Sequence, residues 1–481
     1  MRAISVAPIR RRPISVASTG HRVTSASGKS EPFSQRLGFY LSLLLVLSAV
    51  TLGGRSSGTP LSEALFQILA VWLLVWLALS RRTAAESRLS TAAIVLILAT
   101  LAVAFLQLVP LPYSLWAATS GAPEAATILE RIGEAGGARP LTLDASATRE
   151  TILTLLPPIA LFLAMFEMRA GERQRLALVV MVAAAASLVV GLLQFASQTD
   201  SLYLYQTTHE GYSVGFFTNR NHQADFTLIG ALLASAVYRV NREALAKSPL
   251  VPALIGAIVV AFVVVNLVAT ASRTGIALSI PALVACGVIA LGFRKGGRSL
   301  GIAALVAGAI GAVLIFVRPD LFSYVLGRFD DAESDLRFQI WPVIMDLIGQ
   351  YMPLGSGLGT FVPIFQTAEE LDTVKDRYVN HAHNDYLEIA LEMGAIGIFL
   401  VICFMALFAW AVAAAFRSEL PRKYAPLCAA AAAGIVVLLA HSVVDYSLRT
   451  SSLAITFALL MGLLMPLPAT GARRPERMPR Q

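Results

Sequence analysis

Apolar positions dominate the chain in runs long enough to cross a bilayer, and the runs are separated by short polar stretches. A helix needs roughly 20 apolar residues to span about 30 Å of hydrocarbon. On that measure twelve transmembrane helices are expected, over 37–54, 61–80, 91–110, 152–168, 176–195, 223–239, 249–270, 275–293, 299–317, 394–416, 424–443 and 451–467. The predicted class is an all-α integral membrane protein. Its expected organisation is a disordered tail at 1–36, helices one to nine within 37–317, a large loop at 318–384, helices ten to twelve within 385–467, and a second tail at 468–481. No signal-peptide cleavage site follows the first run, so that helix is read as retained.

Composition supports the pattern. Hydrophobic residues make up 56% of the 481 and charged residues 14%, against about 25% charged in ordinary soluble domains. A soluble reading would require several helices with no polar face. The net charge of +8 does not imply nucleic acid, because the basic residues sit in short loops beside apolar runs. With the N-terminus cytoplasmic, each cytoplasmic loop holds three: Arg81, Arg82 and Arg88; Arg169, Arg173 and Arg175; Arg239, Arg242 and Lys247; Arg294, Lys295 and Arg298; Arg417, Arg422 and Lys423. The positive-inside rule then places both termini in the cytoplasm. The acidic 318–384 loop falls outside, with an amphipathic helix expected at Leu336–Gln350 and a tight turn at Pro353–Phe361. Loops of that length over a bundle are usually functional. Cys286, Cys403 and Cys428 all lie in apolar runs, which argues against a disulfide framework or a thiolate metal site.

Four polar clusters lie at the predicted outer helix ends. They are Gly215–Gln223, Ser272–Gly275, Arg337–Trp341 with Pro353–Gly359, and His381–Tyr386 running into Glu388 and Glu392. Arg273 stands between two apolar helices with almost no loop. It therefore either snorkels to headgroups or faces a polar cavity, where its planar fork would suit phosphate oxygens. Arg220 has the same two readings. Gly355, Gly357 and Gly359 read as a turn rather than a dinucleotide fingerprint, because no βαβ unit surrounds them. His381, His383 and Asp385 lack ligand spacing, so no metal site is expected. Either histidine beside an arginine-lined cavity is a candidate base. Asp385, Glu388 and Glu392 share one helical face. They could pair with arginines, bind sugar hydroxyls or relay protons.

These clusters resemble the O-antigen ligase and polysaccharide polymerase superfamily. His383-Asn384, nine residues, then Gly394-Ala395-Ile396-Gly397 is similar to the ligases' His-Asn/Ser/Gln, nine residues, Gly-x-x-Gly pattern. Ile398 departs from the Val, Thr or Tyr that often follows. Gly215-x-Phe217-x-Asn219-x-Asn221, Ser272-Arg273, Arg337 through Trp341, Pro353-Leu354-Gly355-x-Gly357-x-Gly359-x-Phe361 and Leu141–Asp144 extend the likeness over 140–400. The resemblance implies a GT-C-like fold in the bacterial inner membrane and a metal-independent, cofactor-free glycosyltransferase. Its donor would be an undecaprenyl-diphosphate-linked glycan. Its acceptor would be a hydroxyl on another glycan, on lipid A–core or on a protein. The implied roles are His383 as base and Arg220, Arg273 and Arg337 as diphosphate ligands. Asn384, Asp385 and Glu388 are placed with the acceptor or as orienting groups. A transporter or lipid-linked glycan flippase is the competing class. A structural scaffold would leave Arg273 unexplained.

Overall fold

The computed structural model describes residues 33–55, 60–80, 87–119, 121–197, 200–207, 209–245, 250–292, 336–371, 374, 378–417, 421 and 423–468. The chain is mainly helical. In order come α1 (Phe33–Leu52), α2 (Pro60–Leu79), α3 (Arg88–Leu106), α4 (Tyr113–Trp116), α5 (Ala122–Arg131), α6 (Ala145–Met165), α7 (Ala170–Ser197), α8 (Arg220–Val240), α9 (Arg242–Leu245), α10 (Leu250–Thr270) and α11 (Arg273–Leu291). After a stretch outside the described residues follow α12 (Leu336–Tyr351), α13 (Phe361–Phe365), α14 (Asp385–Arg417), α15 (Ala425–His441) and α16 (Ser451–Leu464). A two-stranded antiparallel ribbon pairs β1 (Pro110–Pro112) with β2 (Ala138–Pro140).

Eleven of the twelve expected spans fall on helices; the span at 299–317 and both tails' outer residues lie outside the described residues. Among the described residues, six helices are long and apolar enough to cross a membrane by length and composition: α2, α3, α6, α7, α11 and α14. Leu44, Ile68, Trp72, Leu98, Val189 and Phe399 point outward from the bundle, as lipid-facing side chains do. Helix α6 begins at Ala145 rather than 152, because Asp144 caps it by accepting from the amides of Ser146 and Ala147 at 2.9 and 3.0 Å. Satisfying those first amides lets the helix start on polar residues ahead of the apolar run.

Helix α8 is the axis of the bundle. It packs against α7, α10, α11 and α15, and it buries His222, Gln223, Asp225 and Thr227 completely. Polar side chains in a membrane bundle turn inward, where they find partners. At the opposite end of the bundle from that helix's N-terminus, Arg173 is fully buried. Its guanidinium donates to the carbonyls of Gly462, Met465 and Pro466 at 2.9, 2.7 and 3.0 Å. It thereby caps the C-terminus of α16, whose last carbonyls lack helical partners. The sequence reading counted Arg173 as a loop charge.

The expected amphipathic helix at Leu336–Gln350 is α12, and the glycine turn follows it. Helix α14 is bent where that turn meets it. Gly394 has φ 59° and ψ −147°, dividing the helix into an outer stub before it and a longer rod after it. Carbonyls freed by the bend are taken up from outside. The amides of Ser356 and Gly357 bond Leu391 and Glu392 carbonyls at 2.9 and 3.0 Å, and the Ala395 amide bonds the Pro353 carbonyl at 2.9 Å. A Cβ at Gly394 would lie 2.2 Å from that Pro353 oxygen. Pro353–Gly359 and Gly394–Gly397 are thus two halves of one joint, which accounts for both glycine motifs.

Candidate active site

His383 ends the loop that enters α14. Its backbone is left-handed, with φ 49°, a conformation that costs a non-glycine residue about 1–2 kcal/mol. Trp341 holds the loop by donating its indole N–H to the Ala382 carbonyl at 3.0 Å. Asn384 then caps α14, its Oδ1 accepting from the Tyr386 and Leu387 amides at 3.0 and 3.1 Å. These contacts fix the direction of the His383 ring.

The ring is aimed at Asp445, with Nδ1 to Oδ1 at 3.3 Å. An ionised carboxylate only accepts, so Nδ1 carries the proton and Nε2 is left as the basic nitrogen. Asp445 is completely buried and also accepts from Asn221 Nδ2 at 2.6 Å, Asn219 Nδ2 at 3.3 Å and the Tyr446 amide at 3.0 Å. Burial alone would raise its pKa. The hydrogen bond from His383 and the neighbouring His222, His383 and His441 outweigh burial and hold the carboxyl well below its usual range. Asn219 and Asn221, singled out as a motif, therefore act on His383 through Asp445. Tyr446 packs on both histidine rings, at 4.4 Å from His381 and 4.9 Å from His383 between ring centroids.

The acidic face beside the histidines does pair with an arginine. Arg449 lies 3.4 Å from Asp385, 3.5 Å from Glu388 and 3.3 Å from Glu392. Asp385 also accepts from Ser442 Oγ at 2.7 Å. Glu388 bonds His381 Nδ1 and the Ala382 amide, both at 2.9 Å. Burial pushes the His381 pKa down, but Glu388's charge and hydrogen bond, with help from Asp385, bring it out above its ordinary value. His381 is thus engaged with Glu388, whereas His383 is engaged with Asp445.

Arginines stand in the first turns of α8, α11 and α12. Arg220 opens α8, one residue from each of the two asparagines, and its guanidinium stacks over Tyr212 at 4.3 Å. Close by, the His209 pKa is depressed to about 4, chiefly by burial and then by the Arg220 charge. Ser272 caps α11 through its Oγ and the Gly275 amide at 3.1 Å, placing Arg273 in the first turn. A Cβ on Gly275 would lie 2.8 Å from Ala224, and Ala224 is one helical turn from Arg220 on the same face. The first turns of α8 and α11, with their arginines, are therefore adjacent. Arg337 opens α12, near enough for its charge to act on His441.

Beneath the acidic cluster an apolar cavity of about 390 Å³ runs between α3, α6, α14 and α16. Leu96, Phe162, Met393, Phe404, Phe457 and Met461 line it, and Asp385, Tyr386 and Ser442 close its polar end. Asp385, at that end, starts the helix that His383 leads into.

Sequence reasoning singled out His383, the arginines and the acids, but not Asp445 and Arg449, which bond to His383 and to the acids. Both lie in His441–Thr450, which the apolar pattern treated as a helix end and a short gap. The density of polar residues there was the available signal. No curated protein matches this chain. Residues 257–402 match the protein-family model described as O-antigen ligase. That match over part of the chain supports a likeness to the O-antigen ligase superfamily, in a protein whose apolar helices mark it as multi-pass.

Proposed function

We propose that the protein transfers a glycan from undecaprenyl diphosphate to an acceptor hydroxyl on the periplasmic face of the bacterial inner membrane. The observation that carries this reading is the His383–Asp445 pair, joined through Asp445 to the asparagines either side of Arg220 and standing near the Arg449–acid cluster. His383 Nε2 removes the acceptor proton as the acceptor oxygen attacks the anomeric carbon. The bond from that carbon to the diphosphate oxygen breaks, and undecaprenyl diphosphate leaves. Asp445 fixes the tautomer and stabilises the imidazolium, as carboxylates do in related dyads. Arg220, Arg273 and Arg337 stabilise charge on the departing diphosphate, a contribution often large in catalysis. Asp385 and Glu388 serve as orienting groups for acceptor hydroxyls. The acceptor is another glycan, lipid A–core or a protein hydroxyl.

Reconstitution of the purified chain with lipid-linked glycan tests this. An enzyme of the proposed kind releases free undecaprenyl diphosphate and a glycosylated acceptor, and chelator leaves turnover intact because arginines supply the positive charge. A flippase moves the lipid-linked glycan across the bilayer and releases neither product. Translocation without release would replace the reading with the transporter class.

A further inference from the structure

The segment His441–Thr450, between α15 and α16, supplies much of the site. Ser442 bonds Asp385, Asp445 orients His383, Tyr446 packs on both histidines, and Arg449 meets the three acids. This segment is tied to α8 at two points six residues apart, and one side chain makes both ties. Asp225 Oδ1 lies 2.6 Å from His441 Nδ1, and Asp225 Oδ2 accepts from Ser447 Oγ at 2.6 Å. All three side chains are completely buried. His441 Nε2 has no hydrogen-bond partner, so the ring's polar bonding is directed at Asp225. Asp225 stands one helical turn below Asn221, which itself bonds Asp445. One helix thus fixes the segment from both ends and from its middle.

A buried carboxylate is costly unless its lone pairs are met. A residue serving only to stabilise the bundle would not need its two oxygens shared between points bracketing Ser442, Asp445 and Tyr446. We propose that Asp225 is a positioning residue for the transfer reaction. It holds Asp445 against His383 and Arg449 against the acids without touching substrate. This rests on the function proposed above.

The test uses the full-length protein reconstituted with lipid-linked donor. Displacing a catalytic group by about 1 Å costs roughly 10²-fold. Asp225→Ala should lower kcat by about that factor and leave the donor KM unchanged, because the arginines stand on other contacts. Asp225→Asn should recover part of the loss, since its carbonyl still accepts from one end. On a His383→Ala background, Asp225→Ala should add little, as residues acting through one group are not additive. A full additional loss there, or a rise confined to KM, would overturn the proposal. A second readout does not depend on turnover. In ¹⁵N-histidine-labelled protein, the hydrogen-bonded Nδ1–H signal of His383 should be present in the parent and lost in Asp225→Ala. Should alanine prevent insertion, Ser447→Ala, which cuts one tie, should weaken the same signal. An unchanged signal in the inserted variants would refute the positioning role. A parent that turns over no donor would refute the proposed function instead.

Discussion

A histidine held in left-handed backbone, with its Nδ1 against a buried carboxylate, is the residue on which the proposed chemistry turns. Strain of this kind persists where the surroundings over-determine it, and here Trp341, Asn384 and Asp445 do so. Asp445→Asn keeps the shape but offers an amide N–H to the ring. The tautomer should reverse and Nε2 should lose its basic lone pair. Transfer should fall by about 10²–10⁴-fold, read as initial rate with the folded fraction checked by gel filtration; a near-normal rate would detach Asp445 from the mechanism. Arg273→Lys should lose much of the activity while the protein stays inserted, because an ammonium cannot present the planar fork. Full activity would mean that Arg273 snorkels to headgroups. His383 and the arginines were legible because each lies in a short motif at a helix start. Asp445 was not, since it stands 62 residues from His383 and 226 from Asn219, and only folding reveals such separations.

At the scale of elements, apolar run length predicted helices well and helix starts poorly. Polar caps such as Asp144 and Asn384 carry helices beyond the hydrocarbon-length run, and run length does not register them. Asn384 was expected to orient or meet the acceptor; its side chain bonds the first amides of α14. Asn384→Ala should therefore lower thermal stability by about 1 kcal/mol, whereas Asn384→Ser, another good cap, should retain most of it. Equal loss in both would point to a direct part in the reaction. The acid triplet was read correctly as one helical face. Its partner Arg449 was not foreseen, because it comes from a single 3₁₀ turn between two helices. Helix α8 shows a further limit. It is largely interior and carries buried polar groups, so its hydropathy understates how deeply it lies.

Across the whole molecule, the site joins α8, the His441–Thr450 segment and the start of α14, so that Asn219 and Asn221 beside Arg220, the His383–Asp445 pair and the Arg449–acid cluster form one continuous polar group. The proposed orientation puts this end of the bundle in the periplasm. A cysteine at exposed Glu370 should then react with an impermeant reagent in cells whose inner membrane is intact; labelling only after permeabilisation would reverse the topology. Which histidine takes the proton decides the mechanism. Initial transfer rates of purified His383→Ala and His381→Ala, with donor binding measured on the same samples, decide it. His383→Ala should lose about 10²–10⁴-fold with donor still bound, and His381→Ala should be mild. Loss of transfer in His381→Ala with His383→Ala active would contradict it.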